Sequence, residues 1–291
     1  MAAVSDQRGV MQVKEYAVGR TTLLLPADHA IDRYQARWKR YDRALGEIAR
    51  IVHEKYPDFT AIDIGANVGD SAALISAYHD VPTLCIEGTE AFLPFLRENA
   101  RRIHKHVAIE VAFVGDDASA STFGLQNNQM GSAKLVAAAG GGAQIEVKRL
   151  DALLVDSAGF ERPRLIKIDT DGFDFQIIAS SVALLSDIKP VVFYEYAPFE
   201  QPNGIADGIR SFQALVQAGY RHFVVYDNFG NFLVHLNNDD LDQFVDLNGY
   251  LCSNQVNGIA VHYFDLCAFS GQDADLFYAL RRSELAPYFG S

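Results

Sequence analysis

Apolar residues recur along the chain with two distinct periods. Between Ile31 and Tyr56 they fall at Ile31, Tyr34, Trp38, Tyr41, Leu45, Ile48 and Val52. Alternating steps of three and four stripe one face of a helix, so one amphipathic helix is expected there. From Phe59 the texture changes to short apolar runs separated by helical stretches. Strands are expected near 60–64, 82–87, 107–114, 164–169 and 190–196, with helices at about 70–79, 90–103, 173–187 and 206–218, the last capped by Gly219. This alternation predicts βαβ units and a parallel sheet covered on both faces. It then stops. Residues 221–226 and 231–236, either side of Asp227-Asn228-Phe229-Gly230, read as an antiparallel hairpin, and 258–264 as a further strand, which makes the sheet mixed at one edge. Residues 18–25 read as a strand or hairpin that Pro26 ends. The predicted organisation is an N-terminal extension over 1–58, carrying the amphipathic helix, followed by one α/β domain over 59–291. The long Gly-, Ala- and Asn-rich stretch at 119–142 reads as a loop.

Composition narrows the classes of function. With 49% hydrophobic residues in 291, the chain can bury a sizeable core. A formal charge of −12 disfavours binding of nucleic acid or anionic lipid by the protein as a whole. Arg33, Arg37, Lys39, Arg40 and Arg43 read as the solvated face of the first helix. Cys85, Cys252 and Cys267 are scattered without CxxC spacing, which argues against a disulfide framework or a zinc ribbon and fits a reducing, cytoplasmic setting. No apolar run approaches a membrane span, and the first residues lack a signal-peptide pattern, so a soluble protein is expected.

The most informative segment is Ile62-Asp63-Ile64-Gly65-Ala66-Asn67-Val68-Gly69-Asp70, a strand, a glycine-bearing turn and a helix start. Such a turn lets a ligand approach the backbone closely. It lacks GxGxxG spacing, and Asp70 stands where a helix N-terminus would otherwise receive a pyrophosphate. A phosphate-free, positively charged ligand such as S-adenosylmethionine suits a turn whose rim carries Asp63. Glu87 follows Asp63 by 24 residues, about the spacing of a carboxylate that accepts ribose hydroxyls. Asp116 or Asp117 could accept a hydrogen bond from an adenine amino group. For each acid taken singly, a turn or cap role is the competing reading.

A second block, Lys167-Ile168-Asp169-Thr170-Asp171-Gly172-Phe173-Asp174, follows the fourth predicted strand. With DIGANVGDS, Glu87, VGDD and the VVFYEY strand, it resembles the FkbM family of S-adenosylmethionine-dependent methyltransferases over roughly residues 59–200. The resemblance implies a Rossmann-like, seven-stranded class I sheet and methyl transfer to a hydroxyl of a sugar, polyketide or other secondary metabolite. It puts Asp171-Gly172 where the family commonly has an acid and a glycine, and sets residues 127–132 as a small polar loop over the cofactor. Asp63, Gly65, Asn67, Gly69, Glu87, Asp116, Asp117 and Asp169 are the expected cofactor-binding residues. An alcohol must lose its proton as it attacks, so a general base is needed, and Asp169, Asp171 and Glu195 are the candidates. Asp169, Asp171 and Asp174 could alternatively ligate a divalent metal, but the spacing is not that of an EF-hand, and Asp174 is better read as an acid in the first turn of a helix. Two other functions compete: an NAD-dependent oxidoreductase on a related open sheet, and a cofactor-binding scaffold subunit without turnover. Tyr194, Tyr196, Tyr226 and Tyr263 read as core aromatics ahead of an acceptor-site lining. The acceptor is expected to be a small molecule or glycan.

Overall fold

The computed structural model of the chain describes residues 4–6, 9–116, 123–128, 132–137, 147–201 and 203–289. Strand β1 (Val4–Asp6) pairs with β2 (Gly9–Met11), and β3 (Val13–Val18) with β4 (Thr21–Pro26). Helices α1 (Ile31–Arg37) and α2 (Arg43–Lys55) follow. Then come β5 (Ala61–Ile64), α3 (Asp70–Ile75), β6 (Thr83–Ile86), α4 (Leu93–Ile103) and β7 (Val107–Glu110) as successive βαβ units. The short β8 (Phe113–Val114) lies in parallel with β11 (Val147–Lys148), and β9 (Phe123–Asn128) pairs with β10 (Ser132–Ala137). Next are α5 (Leu150–Asp156), β12 (Leu165–Ile168), α6 (Asp174–Ser180), α7 (Val182–Ile188), β13 (Val191–Tyr196) and α8 (Ile205–Gln217). The chain ends with β14 (Tyr220–Asp227), β15 (Phe232–Asn237), α9 (Leu241–Asn257), β16 (Phe264–Ser270) and α10 (Ala274–Phe289).

Eight strands form the main sheet in the order β15-β14-β16-β13-β12-β5-β6-β7. The five from β13 to β7 are parallel, and β16 is antiparallel to both of its neighbours. The resemblance implies seven strands; the eighth is β15, which pairs antiparallel along the outer edge of β14. Alternate residues of the sheet feed two cores. On one face Ala61, Cys85, Leu165, Phe193 and Cys267 pack with β4, α2, α4 and α10. On the other, Ile62, Ile64, Ile166, Ile168, Tyr194 and Tyr196 pack with α5, α6, α8 and α9. Residues before 59 therefore share a core with the sheet. Among the described residues no helix is long and apolar enough to cross a membrane.

Three departures from the periodicity matter for the site. The single helix expected over 31–56 is two, because the chain turns at residues 38–42, where Asp42 adopts φ 59°. Trp38 stacks on Phe229 at 4.6 Å, and Arg40 pairs with Glu284. A Cβ on Gly230 would lie 2.1 Å from the Arg40 carbonyl oxygen, so the hairpin turn and the helix break sit in close contact. The strand expected over 107–114 is cut into β7 and β8. The strand expected over 258–264 lies instead at 264–270, while Gly258, at φ 66°, caps α9. β16 is inserted between two strands and buried on both faces, so it reads as a continuous apolar run without alternation.

Candidate active site

From β5 the chain proceeds to β6 and β7 on one side, and later from β12 to β13 on the other. The crevice outside the carboxyl ends of two strands at such a reversal is where open α/β sheets bind ligands. A cleft of about 610 Å³ opens there. Its floor is the turn after β5. Gly65 has φ 77°, and a Cβ there would lie 1.8 Å from the Asp169 carbonyl oxygen, so no larger residue fits between the ends of β5 and β12. Asn67 takes the left-handed φ of 48°, which aims its backbone N–H at Glu87 Oε2, 2.9 Å away. The Thr89 N–H donates to Glu87 Oε1 at 2.6 Å. The Glu87 carboxylate is thus fixed at the cleft wall, with a second lone pair on each oxygen still available. Beside it, Ile86, Phe92, Ala112, Phe113 and Val114 make an apolar slot.

Lys167 organises the next layer. Register places it beside Asp63 on β5 and Phe193 on β13, so all three project from one face. Its ammonium is buried, 3.4 Å from Asp63 Oδ1, 3.3 Å from Asp169 Oδ2 and 3.2 Å from the Gly65 carbonyl oxygen. Burial opposes its charge, but Asp169 and Asp63 outweigh that and raise its pKa above the ordinary lysine value. Asp63 is fully buried, and desolvation pushes its pKa up to about 6 despite the attraction of Lys167.

Two residues further along the same face, the strands deliver carboxylates. Asp169 follows β12, Glu195 stands near the end of β13, and Asp265 lies opposite Glu195 across the antiparallel β13–β16 pair. Burial, then Asp169, raises the Glu195 pKa well above the ordinary range. Burial, then Asp42, does the same for Asp265. Asp171 is pushed up to about 7, chiefly by burial and by Asp169. Asp174 also rises to about 7 through burial and Asp169, although its oxygens accept hydrogen bonds from the Thr170 N–H at 3.0 Å and the Gly172 N–H at 3.4 Å. In all, eight carboxylates line the cleft (Asp42, Asp70, Glu87, Asp169, Asp171, Glu195, Glu200 and Asp265) against one lysine. Among the described residues no three His, Cys, Asp or Glu side chains converge as metal ligands.

The structure brings Gly65, Asn67, Glu87, Asp169, Asp171 and Glu195 together around this cleft. Asp63 does not stand on the rim: it lies behind Lys167, out of solvent. Gly69, at φ 90°, begins α3, and its Cβ position faces Leu96 and Asn99. Asp116 is half-buried and is not one of the lining residues described, and Asp117 lies outside the described residues, as does part of 127–132. Asp174 sits at the first turn of α6, closing the Thr170–Asp174 loop. Tyr194, Tyr196 and Tyr226 are core residues, whereas Tyr263 lines the cleft. Sequence reasoning missed Lys167, Tyr41, Asp42, Glu200 and Asp265. Asp265 left a signal, a lone acid opening the apolar run Phe264-Asp265-Leu266-Cys267-Ala268-Phe269. Tyr41 and Asp42 left none, because Tyr41 fits the helical stripe.

A Rossmann-like sheet with an acid-lined cleft at its reversal point places the chain in the class of open α/β folds. The chain belongs to the FkbM methyltransferase family: the family model described as "Methyltransferase FkbM domain" matches residues 63–222, more than half of the chain. No curated protein matches. Among solved structures, the FkbM methyltransferase from Methylobacillus flagellatus KT is 16% identical, with 57% of this chain covering 39% of that one at a TM-score of 0.38. A putative O-methyltransferase from Klebsiella pneumoniae is 11% identical, over 84% of this chain and 91% of that one, at 0.41. Aeropyrum pernix fibrillarin, solved with natively bound S-adenosyl-L-methionine, is 10% identical over 72% and 66%, at 0.39.

Proposed function

We propose that this chain is an S-adenosylmethionine-dependent O-methyltransferase acting on a hydroxyl of a small molecule or glycan. The observation that carries the reading is the acid-rich lining of the cleft, where eight carboxyl groups, four of them held toward the neutral form by burial until a cation arrives, face one lysine that is already held between Asp63 and Asp169. A ligand bearing ammonium and sulfonium groups is attracted to such a site, whereas a pyrophosphate would meet Asp70 at the first residue of α3 and Glu87 beside it. The residues fit the cofactor. Glu87 is pinned by two backbone N–H groups and keeps lone pairs for ribose hydroxyls. The slot of Ile86, Phe92, Ala112, Phe113 and Val114 suits a flat adenine, and the Gly65 turn allows close backbone approach.

S-adenosylmethionine, when bound, supplies an electrophilic methyl group. The chain's own part is to hold an acceptor hydroxyl in line and to take its proton. Positioning of this kind is worth about 7–11 kcal/mol of barrier. Among the three base candidates we favour Glu195, because its Oε2 is buried at the cleft wall without a hydrogen-bond partner among the described residues. Its raised proton affinity suits the task, since a carboxylate at its ordinary pKa is a weak base toward an alcohol. Asp169 is engaged with Lys167 and is better placed to hold the turn or the cofactor. Calorimetric titration of S-adenosylhomocysteine into cofactor-stripped protein tests the reading. Saturable one-to-one binding is expected, and absence of binding overturns it.

A further inference from the structure

The wall of the cleft opposite Glu87 holds more carboxyl groups than the proposed cofactor, with a net charge of about +1, can engage, and burial holds Asp42, Glu195 and Asp265 toward the neutral form until a cation reaches them. Asp42 comes from the break between α1 and α2, and Asp265 from the start of β16. Both line the cleft, and neither forms an ion pair with another described residue. Lys167 is committed to Asp63 and Asp169. Tyr41 and Tyr263 line the same wall and lie within electrostatic reach of each other and of Asp42 and Asp265. Burial raises the pKa of both phenols, so they face the cleft as neutral aromatic groups. Glu195, paired in register with Asp265, contributes the buried, unpartnered Oε2 at the same place, which independently calls for a ligand group there.

We propose that the methyl acceptor carries a protonated amine beside its hydroxyl, and that Asp42 and Asp265, flanked by Tyr41 and Tyr263, recognise that amine. This deepens the methyltransferase reading and rests on it. Two carboxylates and two aromatic rings are the chemistry that selects an organic ammonium, through charge-assisted hydrogen bonds and cation–π contact. A metal ion is disfavoured because no three potential ligands converge among the described residues. Tyr41, Asp42, Tyr263 and Asp265 all fall outside the family-matched segment 63–222, whereas Gly65, Glu87, Asp169 and Glu195 fall inside it. An ammonium held between carboxylates keeps its proton and has no lone pair with which to attack. The neighbouring hydroxyl, near Glu195, remains the nucleophile, so an amino alcohol or amino sugar is the expected class.

The test is calorimetry on the full chain saturated with S-adenosylhomocysteine, using paired probes: glucosamine against glucose, and 2-aminoethanol against ethylene glycol. The amine of each pair is expected to bind about tenfold more tightly or better, the size of one charge-assisted interaction. Asp265→Asn and, separately, Asp42→Asn should abolish that preference while leaving the S-adenosylhomocysteine affinity within about twofold, a small energy. Equal binding within both pairs, or no binding of any probe, overturns the proposal. So does a preference that survives both substitutions in variants whose thermal unfolding shows them folded. Failure of S-adenosylhomocysteine to bind the unsubstituted protein is a separate result that strikes the methyltransferase reading itself.

Discussion

Lys167 and Glu195 show how much a single side chain carries here. Lys167→Met would leave Asp63 buried beside no cation, and breaking a buried pair in this way costs about 3–5 kcal/mol. Urea denaturation should show that loss, and adding Asp63→Asn to Lys167→Met should recover a large part of it. Recovery is the informative outcome, because a cavity at Lys167 alone would not respond to a change at Asp63. Glu195→Gln keeps the shape but removes the proposed base. It should lower the methyl-transfer rate by about 10²–10⁴ while leaving S-adenosylhomocysteine affinity unchanged, measured by single turnover and calorimetry. Gly65, Asn67, Asp169 and Asp171 were legible in the sequence because they follow strands in two recognisable blocks, and Glu87 and Glu195 because they stand at the ends of predicted strands. Lys167 was not, since a lysine inside an apolar run gives no sign of the buried acid beside it.

At the scale of elements, the break between α1 and α2 brings Tyr41 and Asp42 to the cleft. The apolar stripe from Ile31 to Val52 predicts one helix, yet the chain turns at 38–42, with Asp42 in a left-handed conformation. Local propensity yields there to long-range contacts, the stacking of Trp38 on Phe229 and the pairing of Arg40 with Glu284. Phe229→Leu should weaken that stack by about 1 kcal/mol and loosen the turn. Trp38 is the only tryptophan in the chain, so the change reads directly as a red shift of intrinsic fluorescence. Hydrogen exchange at 38–42 should rise in the same variant. The displaced last strand teaches a related lesson. Residues 264–270 carry no alternation because both faces of β16 are covered, so periodicity alone could not set its limits.

The whole molecule concentrates raised carboxylate pKa values in and just behind one cleft, and that sets the pH dependence of its stability. Asp63 rises from 3.8 to about 6, and Asp171 and Asp174 from 3.8 to about 7. A carboxyl with a higher pKa in the folded state binds its proton more tightly there than in the unfolded chain. Its contribution is therefore full below about pH 4 and is lost as pH rises through 6 to 7. For fully buried Asp63 alone the loss is about 3 kcal/mol. The ligand-free protein should show a falling Tm from pH 5 to pH 8, and Asp63→Asn should flatten the part between 5 and 6. S-adenosylhomocysteine, whose ammonium favours ionised carboxylates, should raise Tm more at pH 8 than at pH 5, and scanning calorimetry across that range reads both effects.

The alternation of apolar runs and helical stretches was enough, by itself, to establish a doubly covered α/β sheet, because burial on two faces imposes that pattern locally. The turn after β5 and the acids at the strand ends were equally readable, since glycine and carboxylate requirements are written residue by residue. The placing of Asp63 behind Lys167, of Asp265 opposite Glu195 and of Asp42 across the cleft was decided only by tertiary structure. Each depends on which strands become neighbours and where a distant hairpin turn presses on a helix, and neither leaves a period or a spacing in the chain.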